Sequence, residues 1–137
     1  MWLVYALLAA VFAALVAILA RLGLEGVNSH VAVAVRTVVV LVMAWAMVFI
    51  TGHHGDVFTM TRRNWIFLIA SGIATGLSWL FFFRALQLGD VSRVVPIDKL
   101  SVVLTIILAF VIFREEVSWK TILGGVLVTA GTVLLAL

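Results

Sequence analysis

Five apolar runs, each close to the length of a membrane span, are separated only by short polar links. A hydrocarbon core ~30 Å thick takes about 20 helical residues to cross at ~1.5 Å per residue. No other feature constrains the fold as tightly. A β-barrel would show short segments of alternating polarity, and these runs are unbroken. Hydrophobic residues make up 66% of the 137 and charged residues 11%, too few charges to cover a soluble surface of this size. The pattern predicts an all-α integral membrane protein: five transmembrane helices in a single domain, residues 1–137. The lipid bilayer is then its first partner, and a multi-pass place in the cell inner (plasma) membrane is expected.

The expected spans are 2–20, 29–51, 64–86, 96–113 and 119–137. Met1–Ala20 lacks the basic leading segment of a signal peptide, because Arg21 follows the apolar run, so it reads as the first span. Pro96 suits the first turn of a helix, where its missing N–H has no intrahelical partner. Trp2, Trp65 and Trp119 fall at span ends, where an indole can bury its ring and keep its N–H wet. Gly72 and Gly76 form a GxxxG pair in span 3, with Gly124, Gly125 and Gly131 in span 5. Such residues let helix backbones approach closely in lipid.

The net charge of +3 does not point to nucleic acid, because the basic residues stand singly around apolar runs and form no cluster. Absent cysteine rules out disulfides and thiolate metal sites. His53, His54 and Asp56 share one loop without metal-ligand spacing on a helix face, so no metal is expected there. The chain has no nucleotide-binding glycine loop, no nucleophile elbow and no HExxH, so neither an enzyme nor a cofactor is expected and no residue is assigned a catalytic role.

The residues that ask for an explanation are charges inside apolar runs. Arg36 lies about 10 Å into span 2. One reading is snorkelling to the interface. The other is a bundle-facing cation that holds a substrate carboxylate or phosphate, or pairs with Asp98. Asp98 and Lys99 are expected to open span 4. An acid in a first turn is favoured by the helix dipole, whereas a lysine there is on the wrong end and needs a partner. Neighbouring helix residues point ~100° apart, so the two are not expected to face one another. A carboxylate partly withdrawn from water can take up and release a proton as its surroundings change, which makes Asp98 the candidate for proton coupling. Trp79, one turn from Thr75 and Gly76, and Tyr5, the one tyrosine, are further candidates to line a polar site.

Five spans put the termini on opposite faces. The N-terminal face carries Arg62, Arg63, Arg114 and Lys120. The other carries Arg21, Arg84 and Arg93, with Arg36 and Lys99 nearer to it. Orientation follows an excess of Lys and Arg in cytoplasmic loops, and this chain has almost none on either side. One reading puts the N-terminal side inside by a small margin; the other is insertion in both orientations, with pairing to an inverted copy.

The segment from Ala85 to Leu137 resembles the EamA family of the drug/metabolite transporter superfamily. Its Glu115, Ser118, Gly124 and Gly131 look like the family's glutamate at the end of span 4, the serine three residues on and the two glycines of span 5. Two positions depart: Arg114 stands where the family has glycine, and Pro96 precedes the place of the family's proline, near Val102. Most relatives carry two five-span repeats, so the resemblance implies one repeat that pairs as a homodimer, antiparallel, into a ten-helix inverted-repeat bundle. It implies an exporter of small polar metabolites or drugs working by alternating access; the charges and aromatics singled out above, Arg36, Asp98, Lys99, Trp79 and Tyr5, are then expected around the small-molecule substrate. The reading from another class is a non-transporting accessory or assembly subunit, or a lipid flippase component, in which the same charges dock a partner chain.

Overall fold

A computed structural model describes all 137 residues, and every regular element in it is helical. In chain order these are α1 (Trp2–Gly23), α2 (Ser29–Ile50), a 3₁₀ turn (His54–Thr59), α3 (Arg62–Leu88), α4 (Val91–Asp98), α5 (Ser101–Phe113) and α6 (Trp119–Ala136). Five segments are long and apolar enough to cross a membrane, the fourth being α4 and α5 together, Val91–Phe113. Leucine, isoleucine, valine and phenylalanine side chains are exposed along every one of them. In water such a surface would drive aggregation; in hydrocarbon it is the solvated face.

The chain forms two compact units, Ala20–Gln87 and Met1–Leu19 with Leu88–Leu137. In the first, α2 is rich in valine, a residue that favours strands in water. Hydrocarbon reverses that preference, because only a helix satisfies every backbone group of an isolated span. Gly26 turns the chain at φ +70°, a left-handed conformation suited to glycine. Asn28 then caps α2, its side-chain oxygen accepting from the His30 N–H at 2.9 Å. The α2–α3 hairpin is antiparallel. Gln87, at the end of α3, donates to the Val27 carbonyl at 2.6 Å, and Arg36 lies against Trp79, further from both helix ends. Leu24, Ser29, Val33, Phe83 and Leu86 are buried at this end of the unit. Arg21, expected in a link, instead lies in the last turn of α1. A cation suits that end of a helix, and its guanidinium donates to the carbonyls of Leu86 and Gln87.

In the second unit α4 and α5 pack on α6. The fourth span starts at Val91 rather than Pro96, because Asp90 takes the extended conformation of an N-cap. Pro96 therefore lies inside α4, beyond the first turn where it was expected. The helix ends at Asp98 and a new one starts at Ser101. Across the break the bonds tighten to i→i+3: Lys99 N–H to Pro96 carbonyl, Leu100 to Ile97, Val102 to Lys99 and Val103 to Leu100, each 3.0 Å. The tightened bonds keep these carbonyls paired, as a segment at membrane depth requires.

α5 ends on Arg114 at φ +54°, ψ +35°, the left-handed region. Glycine reaches that region without the strain that an arginine carries there. Ser118 caps α6 by accepting from the Thr121 N–H at 3.2 Å. Arg114→Gly should stabilise the detergent-solubilised protein. Relief of the left-handed strain is worth ~1–2 kcal/mol, against ~0.3–1 kcal/mol for losing a cation at a helix C-terminus. A net gain of about 0.5–1 kcal/mol should raise the thermal midpoint, and a lowered midpoint would contradict it.

Candidate functional site

The break in the fourth span gathers polar atoms inside an apolar segment. Asp98 is the last residue of α4 and Lys99 its C-cap, so neither opens a helix as expected. The dipole argument changes sign: at a C-terminus the cation is favoured and the acid is not. Lys99, hard to account for at a helix start, is in its electrostatically favoured place, and Asp98 is the residue that needs support. It has it, because Lys99 Nζ is 3.5 Å from Asp98 Oδ2. The two face one another after all. Lys99 ends the regular helix (φ −70°, ψ −8°), so the fixed ~100° offset of neighbouring helical residues does not hold there. About half of each side chain's surface is open or nearly so, 52% and 38%, so the pair is accessible rather than sealed in a core.

Thr132 of α6 supports the break. Thr37, Thr75 and Thr129 each donate to the carbonyl four residues back on their own helix. Buried Thr132 instead donates across to the Pro96 carbonyl at 3.2 Å. The break leaves this carbonyl without its usual i+4 partner, since the Leu100 N–H is taken by Ile97. Nothing in the sequence singles out Thr132 among the hydroxyl residues of the spans.

Arg36 and Trp79 come together in the first unit. The guanidinium carbon is 4.2 Å from the centre of the Trp79 ring and 5.3 Å from that of Phe83. Phe83 is one turn beyond Trp79 on the same face of α3, an i, i+4 spacing that could have marked it as the second partner. Of the two rings, the guanidinium is nearer the one farther from the end of α3. The side chain thus crosses to α3 rather than running along α2 to the interface as snorkelling would have it. Cation–π contact is worth ~0.5–2 kcal/mol, less than the ~2.5–3.5 kcal/mol cost of an arginine at mid-span. The chain forms two ion pairs, Arg93–Asp90 and Lys99–Asp98, and Arg36 is in neither. Its N–H groups reach the surface of the chain rather than lying buried without partners.

Tyr5, on α1, is 69% exposed. α5 and α6 enclose an open apolar groove of about 530 Å³, lined by Val103, Ile107, Phe110, Ile122 and Val126 among others. A smaller hollow of about 220 Å³ at the α5–α6 turn includes Glu115 and Glu116. None of the five residues expected around a substrate lines either space.

The sequence profile of the EamA-like transporter family matches residues 1–137, the whole chain. The chain belongs to the EamA family. The match takes in spans 1 and 2, which from sequence agree with the family in hydropathy alone. A protein of a Sinorhizobium species, described as an "Uncharacterized transporter in cobO 3'region", is 44% identical to this EamA chain over 135 residues. That is 98% of this chain and 96% of the relative, so the two are of similar length. No solved structure matches the chain. The EamA chain is thus a multi-pass membrane transporter protein with five spans, the fourth of them broken.

Proposed function

We propose that this protein exports small polar metabolites or drugs across the inner (plasma) membrane by alternating access, as an antiparallel homodimer of single repeats. The observation that carries the reading is the interrupted fourth span. Transporters built from paired repeats place substrate and coupling ions where a helix is broken near the bilayer midplane, because the break frees helix ends and carbonyls for polar ligands. Here the break holds an accessible carboxylate–ammonium pair and a carbonyl bonded from a second helix. An accessory subunit docking through surface charges has no need of such a break. In this reading Asp98 carries the coupling proton and Arg36, Lys99, Trp79 and Tyr5 line the path. The work is transport without covalent chemistry. The EamA relative's similar length supports a unit that pairs with a copy of itself.

Reconstitution tests this. The purified chain alone in liposomes should exchange at least one labelled solute from a panel of amino acids, organic acids and drugs faster than protein-free vesicles. Cross-linking in the same vesicles should trap dimers. Failure across the panel, together with stability only in complex with another protein, would favour the accessory reading.

A further inference from the structure

We infer that Arg36, laid over Trp79, is an anion site that takes a carboxylate or phosphate group. Naming that anion as cargo rests on the transport reading above; the binding itself rests on geometry. A guanidinium has five N–H donors in one plane and no acceptor. Contact with the Trp79 and Phe83 rings, at 4.2 and 5.3 Å from the guanidinium carbon, gives none of these donors a hydrogen-bond acceptor. Neither acid of its own unit, Glu25 or Asp56, forms an ion pair with it, and Arg36 makes no side-chain hydrogen bond to its neighbours on α2 or α3. Thr37, next to it, donates to its own helix. A cation at this depth with an open, unsatisfied donor edge is complementary to a planar two-oxygen acceptor, which the fork binds through two parallel hydrogen bonds. The flanking rings suit an organic body attached to that group. A cationic solute would meet an uncompensated positive charge and be rejected.

The test uses the full chain in discs of neutral phosphatidylcholine, titrated with benzoate, with inorganic phosphate and with benzamidine, the cationic analogue of benzoate. Tryptophan emission is the readout, with Trp79→Phe identifying the reporter. Benzoate or phosphate should give a saturable change and benzamidine none. Arg36→Lys keeps the charge but loses the fork, and should weaken binding at least about tenfold. Arg36→Gln should abolish it, and the lysine variant carries the test if the glutamine variant does not fold. Equal binding in wild type and both variants, or binding of benzamidine as tight as that of benzoate, overturns the inference. Phosphatidylglycerol added to the disc separates the sources: displacement of benzoate by this lipid makes a headgroup the occupant, and persistence makes it a soluble anion. Anion binding without solute movement in vesicles would remove the transport reading and leave the site. Solute movement unchanged by the Arg36 variants would do the reverse.

Discussion

Asp98→Asn is expected to cut uptake driven by a pH gradient about 100-fold in proteoliposomes, while exchange at equal pH falls far less. A hundredfold is about 2.7 kcal/mol, comparable to the ~2.5–3.5 kcal/mol cost of one unpaired charge at mid-span. The variant removes two things together: the carboxylate proposed to take up the proton and the counter-ion 3.5 Å from Lys99. A second variant separates them. Asp98→Asn combined with Lys99→Gln leaves no lone ammonium, so thermal stability should recover toward wild type. The response to the gradient should not recover, because neither amide supplies a carboxylate in place of Asp98. Full recovery of gradient-driven uptake in the double variant would make Asp98 only the counter-ion of Lys99. Undiminished uptake in Asp98→Asn would take the coupling role away altogether.

The five spans were legible because their signal is additive. Some 20 apolar residues in a row admit few alternatives, and shifts of up to three residues at most ends, five at the start of the fourth, leave the spans in place. Helix starts and stops depend on a few polar atoms, and there the sequence misled. Arg21 looked like a link residue because charges punctuate apolar runs, yet its guanidinium finds carbonyls at the end of α3 and keeps it helical. Pro96 looked like a first-turn residue because proline is favoured there, but the chain turns helical at Val91, directly after Asp90 in extended conformation and without a side-chain cap bond. That one misplacement moved Asp98 and Lys99 from the beginning of a helix to its end, and inverted the electrostatic argument for both. The candidate charges themselves were legible, since an ionisable side chain in an apolar run is costly enough to stand out. Their partners were not. Lys99–Asp98 depends on a local departure from helical geometry, Arg36–Trp79 on the pairing of α2 with α3, and Thr132–Pro96 on α6 meeting a carbonyl whose usual i+4 donor the break takes away.

A single cysteine in place of Asp56 should react with a membrane-impermeant thiol reagent from both faces of intact cells and inverted vesicles. The position suits the probe. Asp56 lies exposed in the 3₁₀ turn between α2 and α3, and that turn is held by backbone bonds and the Thr59 hydroxyl rather than by the carboxylate. No native cysteine competes for the reagent. Labelling from both faces is expected because four basic residues near the span ends on one side face three on the other, or five with Arg36 and Lys99 counted, which gives insertion no firm preference. If charge sets the balance, it can be tipped. Adding lysines at Thr61 and Asn64 should hold that loop in the cytoplasm and make labelling one-sided. A chain locked in one orientation has no inverted partner, so transport by the locked variant alone should be lost. Co-expression with a variant locked the other way, by removing Arg62 and Arg63, should restore it. One-sided labelling of the unlocked chain, or full transport by a locked one, would end the antiparallel reading and leave a parallel dimer of EamA repeats in its place.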